Sequence, residues 1–215
     1  MNSSTDTLTN KKRTQIERTA ISDEKMFEAA IKLILERGTQ KTTLKDIGEI
    51  AGYSRGLANY RFGTKSGLFN ELIRLLNHRW SNELQKNVKG KSGIAALMEA
   101  IKAFESFLLF ASDELRVMYI LWFESVGYQA ELHDKLARVH SESRRDIQCW
   151  IEQAIEQDQI DPSVNAKFFA EQYCSFAYGL VYQWLVNPED FDIKGLFADY
   201  KQNILTILRV KIPVS

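Results

Sequence analysis

Apolar residues recur at three- and four-residue spacing along most of the chain, the period of amphipathic helices. Met26, Phe27, Ala30, Ile31, Leu33 and Ile34 form the first clear stripe. Ser22 is its expected N-cap, Asp23 and Glu24 sit in its first turn, and Gly38 ends it. A second short helix opens at Thr43, with Asp46 three residues on as a variant of the capping box. It carries Leu44, Ile47, Ile50 and Ala51 and stops at Gly52. Ser54 caps a third, very short helix through Phe62. Further helices are predicted over about 65–88, 94–111, 113–126 and 130–159. Asp161-Pro162-Ser163 reads as a stop and a new cap before a helix to Val186, and a last helix spans 193–209. No alternating β pattern is present, so the expected fold class is all-α.

The first helices match a DNA-binding arrangement. Two short helices joined by a tight turn at Gly52 make a helix-turn-helix, whose second helix enters the major groove. Ala51 is small enough for close helix approach, and Gly52 supplies the positive φ of the turn. Ser54 leaves backbone N–H groups at the front of the recognition helix. Arg55, Arg61 and Lys65 supply cations there, and Tyr60 a hydroxyl for phosphate. Gly56 lets the backbone approach DNA closely. The expected organisation is a flexible tail over 1–21, a helix-turn-helix domain over 22–65, and a longer helical bundle over 66–215. Within the tail, Lys11, Lys12 and Arg13 read as part of a solubilising terminus, or as an arm along phosphates.

Charge sharpens this picture. The chain of 215 residues has no net charge, yet residues 1–65 carry 12 Lys and Arg against 8 Asp and Glu, while the remainder carries 16 against 20. A basic head on an acidic body points to polyanion contact at the front. Two cysteines, Cys149 and Cys174, exclude a disulfide scaffold, and their default reading is buried, inert thiols. No stretch of 18 uncharged apolar residues exists, so no membrane span is expected. The polar start has no apolar signal region, so a cytoplasmic location is expected.

The residues Ala51-Gly52-Tyr53-Ser54-Arg55-Gly56 and Phe62-Gly63-Thr64-Lys65-Ser66-Gly67-Leu68-Phe69 resemble the TetR/AcrR family of bacterial transcriptional regulators. Ala29-Ala30 through Gly38, then Thr42-Thr43-Leu44-Lys45-Asp46-Ile47, resemble that family's first two helices. The resemblance implies phosphate or base contact from Thr43 and Lys45, and major-groove contact from Arg55, Gly56 and Leu57. It implies backbone contact from Tyr60 and Arg61, and phosphate contact from Lys65. Two departures stand out: Asn59 replaces the usual aromatic, and Leu57-Ala58 replaces a small polar residue followed by Leu. In one register Ala58 and Phe62 face the core, and Leu57 and Asn59 face DNA, with Asn59 reading adenine. In the other, the short helix is rotated and Leu57 is buried.

The body is rich in aromatics. Met118 to Phe123 is apolar nearly all round, which places its helix at the centre. Phe104, Phe107, Trp122, Trp150 and Tyr173 are the candidate lining of a pocket for an apolar or aromatic small-molecule effector. The resemblance implies that this effector loosens the hold on DNA. The helix over 65–88 leads from the head into the body and is the expected lever. Phe169, Phe176, Leu180 and Trp184, then Tyr200, Ile204 and Leu208, are the candidate stripes of a four-helix homodimer interface. A two-fold dimer implies a palindromic operator in double-stranded DNA. No cofactor is expected. His133 and His140 lie seven apart on one helix, yet read as exposed polar residues rather than metal ligands. No nucleophile–base set is visible, so no catalysis is expected. The competing reading is a helical small-molecule-binding protein whose DNA head is idle.

Overall fold

The computed structural model describes residues 14–126 and 130–211. Among these no strand occurs. The helices are α1 (Gln15–Lys41), α2 (Leu44–Ile50), α3 (Arg55–Phe62), α4 (Lys65–Val88), α5 (Gly93–Phe110), α6 (Ser112–Ser125), α7 (Ala130–Glu156), α8 (Ala166–Val186) and α9 (Ile193–Ile207). A 3-10 turn at Pro188–Asp190 precedes α9. The fold is all-α, and the chain divides into two compact units, one ending at Leu68 and one beginning at Phe69.

Helix α1 starts well before the expected cap. The Thr14 hydroxyl accepts the Glu17 N–H at 3.2 Å, and the Glu17 carboxylate accepts the Thr14 N–H at 2.7 Å. This reciprocal capping box satisfies two orphan donors at once. Ser22 lies inside the helix instead, buried, with its hydroxyl donating to the Thr19 carbonyl at 2.8 Å. Residues 15–21 are therefore helix rather than tail; Lys11, Lys12 and Arg13 lie outside the described residues. Gly38 interrupts α1 with φ 77° and ψ 167°. In the first unit, Met26, Ala30 and Ile34 of α1, Ile47 of α2, and Ala58 and Phe62 of α3 are buried. The Phe27 and Phe62 rings meet at 5.6 Å.

In the second unit, α5 lies at the centre, against α6, α7 and α9. Its core includes Ile94, Leu97 and Ile101 with Ile151, Phe169, Leu180, Val181, Phe197, Ile204 and Leu208. Helix α6 was the expected central helix, but it buries Leu115, Val117, Met118, Tyr119 and Leu121 while Phe123 is exposed. Its apolar run covers more than one face because the outer aromatics line a groove described below. Ser163 does not cap α8. Its N–H and hydroxyl both donate to Asp161, at 2.8 and 2.7 Å, and Asn165 caps the helix by accepting the Phe168 N–H at 3.0 Å.

A candidate nucleic-acid interface and the body cavities

The helix-turn-helix is built by short polar contacts. The Thr43 hydroxyl accepts the Asp46 N–H at 3.2 Å and donates to the Asp46 carboxylate at 2.8 Å. Asp46 therefore does not reach back to the Thr43 N–H as a capping box would; its other partner is Arg37, at 2.5 Å. The Thr43 hydroxyl, then the Arg37 guanidinium, hold the Asp46 carboxyl below the usual aspartate range. The turn follows at Gly52, where φ is 78°, and the Tyr53 N–H donates to the Gly48 carbonyl at 2.7 Å. Gly48, unmentioned in the sequence reading, is the residue that permits close approach. A Cβ there would stand 3.0 Å from the Ser54 carbonyl and 3.5 Å from Ala58 Cβ. Ser54 caps α3 by accepting the Leu57 N–H at 3.2 Å.

The register of α3 places Ala58 and Phe62 inward. Arg55, Gly56, Asn59 and Tyr60 are exposed, Tyr60 to 84%, and Leu57 is half-buried. Ser54 is exposed at the front of α3. Thr43 and Lys45 are exposed on α2, with Lys45 3.9 Å from Glu49. The two remaining cations have partners inside the head. Arg61 forks onto Asp23 of α1, with Nε donating to Oδ1 at 2.7 Å and the terminal amine to Oδ2. Lys65 donates to the Gln40 carbonyl at 3.1 Å. Both side chains thus brace α1. Thr64 caps α4 by accepting the Gly67 N–H at 3.0 Å.

The second unit gathers the five expected lining residues around two adjoining cavities. One, of about 80 Å³, is lined by Phe104, Trp150 and Tyr173 with Trp80, Asp146 and Cys174 among others. The other, of about 50 Å³, is lined by Phe104, Phe107 and Trp122 with Trp80, Tyr119 and Tyr178 among others. Both are smaller than a drug-sized site, so such a ligand requires side chains to move. Burial pushes the Tyr178 hydroxyl to about 12 and the Cys174 thiol to about 11. Burial, then the nearby Glu142, also raises the Asp146 carboxyl. These walls favour neutral groups.

The expected dimer stripe is mostly core. Phe169, Leu180, Ile204 and Leu208 are buried within one chain. Phe176 stacks on Tyr200 at 3.8 Å, and Trp184 packs against the same core. The outward apolar residues of these helices are Phe168, Tyr182, Val186 and Ile207. A 3.6-residue period identifies an apolar stripe, not which partner it meets.

His140 is not an exposed polar residue. It is half-buried among Trp122 and Tyr178, and burial, then Arg144, hold its imidazole below the usual histidine value. Cys149 is exposed and Cys174 buried, and both are free thiols. Among the described residues no three His, Cys, Asp or Glu side chains converge as a metal site, and no helix is long and apolar enough to cross a membrane.

Comparison with known proteins agrees with this geometry. Residues 27–72 match the family model of bacterial regulatory proteins of the tetR family. The chain is 24% identical over 196 residues to the HTH-type transcriptional regulator TtgR of Pseudomonas putida, covering 86% of this chain and 90% of that one. It is 24% identical over 179 residues to AcrR of Shigella flexneri, covering 81% and 83%. Among solved structures, a SmeT–triclosan complex superposes with a TM-score of 0.72 at 22% identity, over 90% of this chain and 96% of that one. A helix-turn-helix head matching that family model over residues 27–72, on an all-α body similar to these regulators along most of their length, is what this chain shares with tetR-family transcriptional regulators.

Proposed function

We propose that the protein is a homodimeric repressor that holds a palindromic operator through α3 and releases it when a small apolar or aromatic effector enters the body. The observation that carries the DNA half is the register of α3. Ala58 and Phe62 seat the helix, which leaves Arg55, Gly56, Asn59 and Tyr60 exposed with no part in the core. The effector half is supported by the aromatic cavities, and by the fact that SmeT, of similar fold, is solved with triclosan bound. Release then follows from linkage: the effector binds the DNA-incompetent arrangement more tightly than the competent one.

The test is selection of binding sites from random duplex DNA at two salt concentrations, followed by effector screening on the selected site. Enrichment of an inverted repeat is the expected result. Binding without enrichment would mean an electrostatic head with no base readout. No binding at either salt, by protein stripped of bound small molecules, would favour a small-molecule-binding protein with an idle head.

A further inference from the structure

Among the described residues of the second unit, the indole Nε1 of Trp122 and Nδ1 of His140 are buried with no hydrogen-bond partner. They belong to one aromatic cluster. The Trp122 and His140 rings meet edge to face at 4.7 Å. Tyr178 completes the triangle, 5.4 Å from Trp122 and 4.9 Å from His140. Ring contacts leave a buried N–H and a buried ring nitrogen unsatisfied, and each such group costs free energy that a phenylalanine would not. All three residues line an apolar groove of about 620 Å³, together with Phe123 of α6, Leu136 of α7 and Tyr182 of α8. Trp122 and Tyr178 also line the smaller cavity that holds Phe107.

The chemistry of the two atoms selects the ligand group. An indole N–H only donates, so the ligand atom facing it must accept. The imidazole is held towards its neutral form by burial and by Arg144. Its Nδ1 donates or accepts according to tautomer. A carbonyl or ether only accepts, and an ammonium group only donates. A hydroxyl does both and suits either tautomer. The surrounding rings favour a flat, apolar remainder.

We propose that the Trp122–His140 pair is a recognition subsite for the hydroxyl of a phenol-type aromatic effector, whose oxygen accepts from the Trp122 indole and meets His140 Nδ1. This deepens the effector reading above and rests on it.

The test compares 1-naphthol with 1-methylnaphthalene, which exchanges hydroxyl for methyl on one ring system. Equilibrium dialysis on the full chain gives the affinities. Proton–nitrogen spectra follow the four indole groups, with Trp122 assigned by Trp122→Phe. The expected result is about tenfold tighter binding of 1-naphthol, the size of one to two net hydrogen bonds. The Trp122 indole proton should move downfield with 1-naphthol alone. Trp122→Phe and His140→Phe should each bring the ratio of the two affinities, measured within the same variant, to within about twofold. Equal affinities in the unaltered protein, or an indole signal indifferent to the hydroxyl, would overturn the subsite; binding of 1-methylnaphthalene would then still uphold the effector site. If neither compound binds, both readings fall. If Trp122→Phe does not fold, the preference of His140→Phe decides; if His140→Phe does not fold, the Trp122 indole shift of the unaltered protein decides.

Discussion

Arg61 of α3 grips Asp23 of α1 across a separation of 38 residues, two nitrogens to two carboxylate oxygens. The pair bridges the helix that carries the DNA-facing residues to the helix that supports it. Its side chains keep only 35% and 20% of their exposure, and a planar fork fits a carboxylate as no lysine does. Asp23→Ala and Arg61→Ala are each expected to destabilise the head, by roughly 1 kcal/mol or less for so partly exposed a pair. The double variant should add little to either. Thermal unfolding of all four proteins measures that coupling. Operator affinity should follow the same non-additive pattern; simple additivity would mean that Arg61 acts on DNA independently of Asp23.

Two glycines of the head separate packing from DNA approach. A Cβ on Gly67 would collide with the Phe62 carbonyl. Gly67→Ala must therefore displace backbone, and an overpacking cost of about 1–3 kcal/mol is expected. Gly56 has no such constraint, since its nearest neighbour would be the Ser54 hydroxyl at 3.7 Å. Gly56→Ala should keep or raise stability, by up to about 1 kcal/mol from helix propensity. It should nevertheless weaken operator binding, because the added methyl stands on the exposed face of α3. Denaturant unfolding and operator titration of both variants check the contrast.

Asn59 and Lys65 have different tasks in the proposed complex. Asn59 is exposed on α3, one position beyond the buried Ala58. Asn59→Ala should relax base preference at one position of each half-site, by about 1–3 kcal/mol of discrimination, with the salt slope unchanged. Lys65 is braced by the Gln40 carbonyl at 3.1 Å. Lys65→Ala should weaken all sequences alike and lower the slope by roughly one. Titrations of matched and scrambled duplexes at several salt concentrations distinguish them, and equal effects of both variants would sink the assignment.

The helices were legible in the sequence because caps and apolar period agree there. Lys65–Val88 falls where its stripe and flanking glycines place it. The start of α1 was missed although Thr14 and Glu17 spell a capping box, because the residues after it carry no strong apolar stripe. The turn chemistry at Gly52 was readable from residue type, but Gly48 was not: only the path of the Ser54 carbonyl shows why a side chain is excluded. The same limit applies in the body. Aromatic residues announced cavities, while the pairing of Trp122 with His140 needs α6 and α7 placed side by side.

Asp161 gives a test in acid. The Ser163 hydroxyl and N–H, then Arg209 at 2.8 Å, bring its carboxyl down to about 2. A depressed carboxylate contributes stability that is complete above the ordinary aspartate value and disappears as pH falls through the folded one. Asp161→Asn should therefore lower the melting temperature at neutral pH. Its difference from the unaltered protein should shrink below about pH 4 and vanish towards pH 2. A difference independent of pH would assign the effect to the turn's hydrogen bonds rather than to charge.

The dimer proposal is tested by substitutions on opposite faces of the same two helices. Leu180 and Ile204 are 4% and 1% exposed, so Leu180→Glu and Ile204→Glu bury an unpaired charge and should unfold the body. Val186 and Ile207 are 68% and 62% exposed. Val186→Glu and Ile207→Glu should leave the helical content intact and, if the outward faces of α8 and α9 meet their copies, shift the protein to monomer. Sedimentation and circular dichroism together separate the outcomes. A two-fold interface presents each substituted glutamate to the same patch of its copy, so one change acts twice. Operator affinity should then fall steeply, because one head must bind its half-site without the second. Dimers that persist in both outward variants would place the interface elsewhere on the body.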